Sequence, residues 1–271
     1  MIKEGIWRFL AWYRIKPFVR RVKYFAYLHN LAINKERSYI LNVFFPSNLV
    51  LFGPFKGLKY PDFKSNGSPL LPKLIGSYEA ELHEEIFHAI ESGYTEIIDI
   101  GCAEGYYAIG FAIKNPKAKV YAFDIDAVAQ TLCSAMATAN GVDSIVEVFG
   151  ECRMGNLLSL PIRERALIIS DCEGHELDIF SEDIISKLRK NDFLIETHDC
   201  YDPNNSKELK ARFEKTHIIK SVFSISDLEK AKKYDNHQIN KIPTRYLYNL
   251  YAEERIGTTE WIICKSRENL T

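Results

Sequence analysis

Thr95-Glu96-Ile97-Ile98-Asp99-Ile100-Gly101-Cys102-Ala103-Glu104-Gly105-Tyr106-Tyr107-Ala108-Ile109-Gly110 is the stretch whose pattern decides the fold. An apolar run carrying Asp99 meets two glycines, Gly101 and Gly105, with three residues between them, and continues as an alanine-bearing amphipathic segment. This reads as a buried strand, a tight turn and a helix N-terminus, the geometry in which α/β proteins hold nucleotide-like ligands. Glycine lets the backbone approach a ligand closely, and Gly101 is a candidate for a positive φ. The spacing after the acid is Gly-x-x-x-Gly. A dinucleotide dehydrogenase wants Gly-x-Gly-x-x-Gly, and its middle glycine would fall on Ala103.

Outward from this turn the chain alternates strictly between strand and helix patterns. Strands are expected at about 95–100, 118–124, 144–149, 166–171 and 192–198, with helices at 105–114 and 127–139. Asp126 is the natural cap of the second helix, and Asn140-Gly141 is a left-handed stop signal. Such alternation argues for a parallel sheet with helices on both faces. The stretches 217–223 and 258–264 are strand-like, but no strand-plus-helix unit follows them, so a terminal hairpin with one antiparallel strand is expected. The fold class is therefore α/β, Rossmann-like, with seven mostly parallel strands. A structureless loop as long as 224–257 is uncommon in a compact domain, so a helical insertion covering the substrate side is expected there. Its Tyr246, Tyr248 and Tyr251 read as core-filling residues. Upstream, 49–60 looks like two short strands about Gly53-Pro54, and Ser77 looks like the cap of a helix through Ile90.

At 271 residues the chain suits one sizeable domain, read as 76–271, with an accessory extension at 1–75. A net charge of −1 gives no global pull toward nucleic acid, and no nucleic-acid partner is expected. The six cysteines form no Cys-x-x-Cys pair and read as reduced thiols of a cytoplasmic protein. No apolar run approaches the length of a membrane span. Residues 1–30 interleave seven basic residues with aromatics around Pro17. They read as accessory helices packing on the domain or on a second copy of the chain in a homo-oligomer, with peripheral contact to an anionic membrane surface as the alternative.

Asp124 ends the second strand, 23 positions after Gly101. That is close to the spacing of roughly 20 that places a carboxylate at ribose hydroxyls. Together with the glycine spacing it points to S-adenosylmethionine, whose carboxylate would meet the free N–H groups of the helix that follows the turn. Gly150-Glu151, after the third strand, falls where an adenine edge would lie. Ser170-Asp171-Cys172-Glu173-Gly174-His175-Glu176 and Glu196-Thr197-His198-Asp199 end neighbouring strands and face one crevice. Acids and a histidine gathered there cost desolvation and repulsion unless they bind something. One reading is a divalent cation such as Mg held by Asp171 with Glu196 or Asp199. The other is a general base, His198 or Asp171, taking a proton from a substrate hydroxyl. His175 reads as a surface or capping residue, while His29, His88, His217 and His237 stand alone.

The blocks Ile97–Gly105, Val120–Asp126, Asp171–Glu176 and Ile195–Asp199 together resemble the FkbM-like branch of S-adenosylmethionine-dependent methyltransferases, within the class I superfamily. The Asp-x-Glu-Gly-x-Glu block combined with Glu-x-His carries most of the resemblance, which covers roughly 76–200. It implies a class I methyltransferase sheet and O-methylation of a sugar, glycan or natural product. The cofactor is expected on Asp99, Gly101, Cys102, Ala103 and Gly105, and on Asp124, Ile125 and Glu151. Gly76-Ser77-Tyr78-Glu79 resembles a segment that closes over the cofactor, which adds Tyr78 and Glu79. Two other classes remain: a non-catalytic membrane-surface or assembly module with the same fold, and an NAD-dependent oxidoreductase.

Overall fold

The structure is a computed structural model, which describes Tyr24 and residues 32–233, 242–255 and 257–269. Apart from Tyr24, the basic aromatic segment 1–30 lies outside the described residues, as does 234–241 of the expected insertion. The chain divides into two compact units, residues 1–46 and 47–271. In the first, residues 32–44 form helix α1. The segment 47–75, read from the sequence as part of the extension, falls in the second unit.

That second unit is built on seven strands. These are β1 (Glu96–Ile100), β2 (Lys119–Phe123), β3 (Val146–Phe149), β4 (Ala166–Ser170), β5 (Asp192–Thr197), β6 (His217–Phe223) and β7 (Glu260–Ser266). They form one sheet in the order β3-β2-β1-β4-β5-β7-β6. Strands β1 to β5 run parallel, and β7 runs antiparallel to both β5 and β6. This is a Rossmann-like, mostly parallel α/β sheet with antiparallel strands at one end. Every residue of β1, β4 and β5 is buried, because helices cover both faces of the sheet. That explains why these strands read as continuous apolar runs in the sequence.

Two helices precede the sheet, α2 (Leu70–Ile75) and α3 (His83–Glu91). After β1, β2 and β3 come α4 (Tyr106–Lys114), α5 (Ala127–Ala139) and α6 (Met154–Ser159). After β4 come α7 (Glu176–Ile179) and α8 (Glu182–Lys187), and after β5 comes α9 (Asn205–Phe213). On one face Ile98, Ile168, Phe193 and Ile195 pack with Ile184, Leu209 and Phe213 of α8 and α9. As the sequence predicts, Asp126 caps α5 by accepting from the Val128 N–H at 2.9 Å.

Three local expectations change. The hairpin at 49–60 reduces to a single antiparallel bridge, Leu49 to Lys59. Phe55 at its tip turns inward and meets the rings of Tyr106, Tyr107 and Phe111 at 5.3, 5.9 and 5.3 Å, so burial of this aromatic overrides strand pairing. Ser77 does not cap a helix. Glu79 is held in the left-handed region at φ 49°, and only a 3₁₀ turn at Ala80–Leu82 leads into α3. The described part of the insertion carries the expected helical structure, in α10 (Asp227–Lys233) and α11 (Leu247–Tyr251). Of its tyrosines Tyr251 is core, but Tyr248 is 73% exposed, because it lies on the outer face of a one-turn helix.

Candidate functional site

The parallel strands all end at one edge of the sheet, and the chemistry-bearing residues sit immediately beyond those ends. Gly101 follows β1, Asp124 follows β2, Asp171 follows β4, and Glu196 and His198 lie at the end of β5. Strand order reverses between β1 and β4, which opens a crevice outside the strand ends. Gly101, at φ 83°, is where the two strands come closest: a Cβ there would lie 1.8 Å from the Asp171 carbonyl oxygen. Glycine is therefore required by steric exclusion as well as by the dihedral angle.

The N–H groups of Gly101 and Cys102 both donate to the Phe123 carbonyl at 2.9 Å, tying the turn to the end of β2. Ala103 adopts φ 48°, and its N–H donates to Asp124 Oδ2 at 2.8 Å. The other oxygen of Asp124 accepts from the Asp126 N–H at 2.8 Å. The carboxylate is thus fixed by one backbone donor on each oxygen, and each oxygen keeps a lone pair for a ligand. Glu104, buried within the turn, accepts from Lys73 Nζ at 2.5 Å, Tyr60 Oη at 3.0 Å and the Asn66 N–H at 3.0 Å. Burial works against its charge, yet Lys73 more than offsets this and holds the carboxyl below its ordinary range. This network fastens the 60–73 segment onto the turn.

Asp99 and Gly105 stand behind the turn and do not line the crevice. Asp99 accepts from the Ala108 N–H at 2.9 Å and so anchors α4 to β1. Burial pushes its pKa up to about 7, against the pull of that hydrogen bond, with the Asp171 and Asp124 charges adding to the rise. Gly105 begins α4 at φ 99°, and a Cβ there would meet Cys133 Sγ of α5 at 2.9 Å. Their duty is to place the turn. Tyr78, Glu79, Gly101, Cys102, Ala103, Asp124, Ile125 and Glu151 do line the crevice, whose volume is about 1380 Å³. The Glu151 carboxylate is paired with Arg153 at 2.7 Å.

Opposite the turn stand Asp171, Glu196 and His198. The register pairs Ser170 with Ile195, which sets Asp171 level with Glu196. His198 Nδ1 lies 2.7 Å from Glu176 Oε1, and Nε2 lies 3.4 Å from Asp171 Oδ1 and 3.9 Å from Glu196 Oε2. Burial works against a charge on the ring, but the carboxylates of Asp171 and Glu176 hold its proton, and the pKa is pushed up to about 11. The ring that the sequence offers as a general base is thus tied to Glu176 on one side and faces Asp171 on the other. Glu196 is driven well above the ordinary carboxylate range by burial and by the neighbouring Asp171 and Glu79. Asp199 is drawn away from the cluster. Its oxygens accept from the Ser206 N–H and hydroxyl at 2.8 and 2.7 Å, capping α9.

Sequence reasoning missed the side chains that close the site from far along the chain. Arg255, after α11, lies 3.4 Å from Glu79, 3.2 Å from Glu81, 2.8 Å from Glu253 and 3.6 Å from Glu196. Glu253 also accepts from the Glu79 N–H at 3.0 Å and pairs with the fully buried Lys230 of α10. Tyr107 donates to Glu79. Burial raises the Glu79 pKa to about 8, while Arg255 pulls the other way. No local pattern marks Arg255, since only Glu253 among its partners is near it in sequence. Glu176 was visible as part of the acidic block at 171–176, but its role as the partner of His198 was not.

No family model matches the chain. Over 101 residues it is 34% identical to a ribosomal protein L11 methyltransferase from Alkaliphilus oremlandii (strain OhILAs), a match that takes in 37% of this chain and 31% of that protein. The chain thus matches under a third of this relative's length. Among solved structures, the O-methyltransferase TomG from Streptomyces achromogenes, in complex with SAM, is 10% identical with a TM-score of 0.47, over 71% of this chain and 82% of TomG. TrmN from Thermus thermophilus is 13% identical with a TM-score of 0.44, over 72% of this chain and 52% of that one.

Proposed function

We propose that the chain is an S-adenosylmethionine-dependent methyltransferase of FkbM-like type, acting on a hydroxyl group of a sugar, glycan or other small molecule. The observation that carries this reading is the Asp124 carboxylate, pinned by the N–H of Ala103 from the glycine turn while it lines the crevice. One carboxylate held at the turn suits the two hydroxyls of a ribose. The residues present fit the donor in three further ways. Ile125, 79% exposed, offers an apolar edge beside Asp124. Glu79 and Asp171 put carboxylates beside a site for a cationic ligand. A crevice of about 1380 Å³ exceeds the roughly 300–1,000 Å³ of a single-ligand pocket, which leaves room for an acceptor.

Bound there, S-adenosylmethionine would supply a methyl group already activated by its sulfonium charge, with the electron pair of the broken bond left on sulfur. The chain then has to supply alignment and a destination for the acceptor's proton. Asp171 and Glu196 answer the second need. They sit side by side on the crevice wall, and the buried Asp171 Oδ1, which accepts no hydrogen bond among the described residues, can receive a proton from a hydroxyl. Arg255 and Glu253 bring the insertion over the same wall. The low sequence match to the methyltransferase relative supports the donor but says nothing of the acceptor.

The test is transfer of labelled methyl from S-adenosylmethionine to a panel of sugars, glycans and hydroxylated metabolites. Wild-type protein should label at least one hydroxyl acceptor, and Asp171→Asn should reduce the rate at least about 100-fold, the size of a general-base contribution. Labelling confined to amines would sink the hydroxyl reading while leaving the donor intact.

A further inference from the structure

The wall opposite the glycine turn carries more carboxyl oxygens without hydrogen bonds than proton transfer calls for. Glu196 is 7% exposed, yet it accepts no hydrogen bond among the described residues, and its nearest cationic atoms are Arg255 Nη1 at 3.6 Å and His198 Nε2 at 3.9 Å. Asp171 Oδ1 is buried and likewise accepts no hydrogen bond. Buried carboxylate oxygens are almost always satisfied, since leaving them bare forfeits their hydration without replacement. One ligand atom from each of Asp171, Glu196 and His198 lies within 4.8 Å of the other two.

The histidine is prepared for a particular duty. Glu176, completely buried, accepts from Asn205 Nδ2 at 2.6 Å and from the Gly174 N–H at 3.1 Å, so its carboxylate cannot swing. Its Oε1 accepts from Nδ1 of His198 at 2.7 Å, which leaves Nε2 facing the buried Asp171 Oδ1 at 3.4 Å and Glu196 at 3.9 Å, with the exposed Glu173 at 3.6 Å. Tyr201 stacks on the ring at 5.9 Å and fixes its plane. A carboxylate behind an imidazole, with the other ring nitrogen turned toward two more carboxylates, is the arrangement by which proteins orient a metal-binding histidine.

We propose that Asp171, Glu196 and His198 bind a divalent transition-metal ion, with Glu176 as the residue that positions the imidazole. The mixed nitrogen and oxygen donor set argues for manganese, iron, cobalt or zinc and against magnesium, which prefers oxygen ligands and retained water. It also replaces the ligand set expected from the sequence, since Asp199 is committed to Ser206. Three protein ligands leave coordination positions open. On the methyltransferase reading above, an acceptor hydroxyl would enter one of them and lose its proton more readily. The binding site itself does not depend on that reading.

The experiment is titration of the full-length protein with Mn²⁺, followed by electron paramagnetic resonance and calorimetry, with S-adenosylmethionine affinity measured on the same samples. Wild-type protein should bind one Mn²⁺ per chain. Glu196→Gln, which removes a ligand, should weaken binding at least tenfold. Glu176→Gln should weaken it about 10–100-fold and change the Mn²⁺ spectrum, a response that a merely structural role would not give. Asp199→Asn should leave the affinity within twofold. Absence of stoichiometric Mn²⁺ binding by wild-type protein overturns the proposal, as does an unchanged affinity in Glu196→Gln. Mn²⁺ binding without S-adenosylmethionine binding would sustain the metal site and remove the donor assignment, so the two failures are distinguishable.

Discussion

A Cβ on Gly101 would meet the Asp171 carbonyl oxygen at 1.8 Å, in a residue already at φ 83°. The glycine at the first turn is thereby locked to the backbone that opens the acceptor wall, so one residue governs both sides of the crevice. Gly101→Ala should destabilise the protein by at least about 2 kcal/mol, the left-handed strain and the clash acting together. The change should appear in the midpoint of urea unfolding, and an unshifted midpoint would contradict this geometry. Asp124 and Asp126 show why residues of this kind were legible in the sequence. Asp126 acts locally, on the first turn of α5, while Asp124 reaches the turn 21 positions back and was found by the regular spacing that a strand-helix-strand unit imposes.

At the scale of elements, Asp99 joins β1 to α4 and does so at a cost in charge. Its folded pKa of about 7 exceeds the reference value of 3.8, so the folded protein retains a proton that the unfolded chain releases. Its contribution to stability is complete below about pH 4 and is lost as the pH rises toward and through 7. Asp99→Asn removes that titration, so its stability should fall with pH less steeply than wild type between pH 4 and 7, by up to about 1.4 kcal/mol per pH unit. Parallel slopes in pH-dependent unfolding would show that Asp99 ionises normally. The insertion offers a second element-scale prediction. Arg255 is the shared cation of Glu79, Glu81, Glu196 and Glu253. Arg255→Ala should cost about 3–5 kcal/mol, the loss typical of a broken buried pair, and should expose 224–257 to limited proteolysis. A cleavage pattern and stability like wild type would contradict it.

These elements also show where sequence reading stops. Strands β1, β4 and β5 were legible because burial on both faces writes a near-continuous apolar run, and the strand at 217–223 was found at its observed bounds. The hairpin at 49–60 failed because the inward turn of Phe55 depends on α4, which lies fifty residues on. Nothing in the local pattern marks Glu104, whose partners Lys73 and Tyr60 lie more than thirty residues away. Arg255 and Glu176 take their meaning from partners brought near by the sheet, and no local periodicity encodes such pairings.

Across the whole molecule, the sheet order places the turn after β1 and the acids after β4 and β5 on facing walls of one crevice of about 1380 Å³. No helix among the described residues is long and apolar enough to cross a membrane. The central claim is that the wall formed by the turn and Asp124 holds S-adenosylmethionine. Calorimetric titration of the full-length protein tests it most directly. S-Adenosylmethionine should bind at one site per chain, NAD should not bind, and Asp124→Ala should bind S-adenosylmethionine at least about tenfold more weakly, the loss expected when a charged hydrogen-bond acceptor is removed. Equal affinity in the variant, or binding of NAD in place of S-adenosylmethionine, would contradict the account.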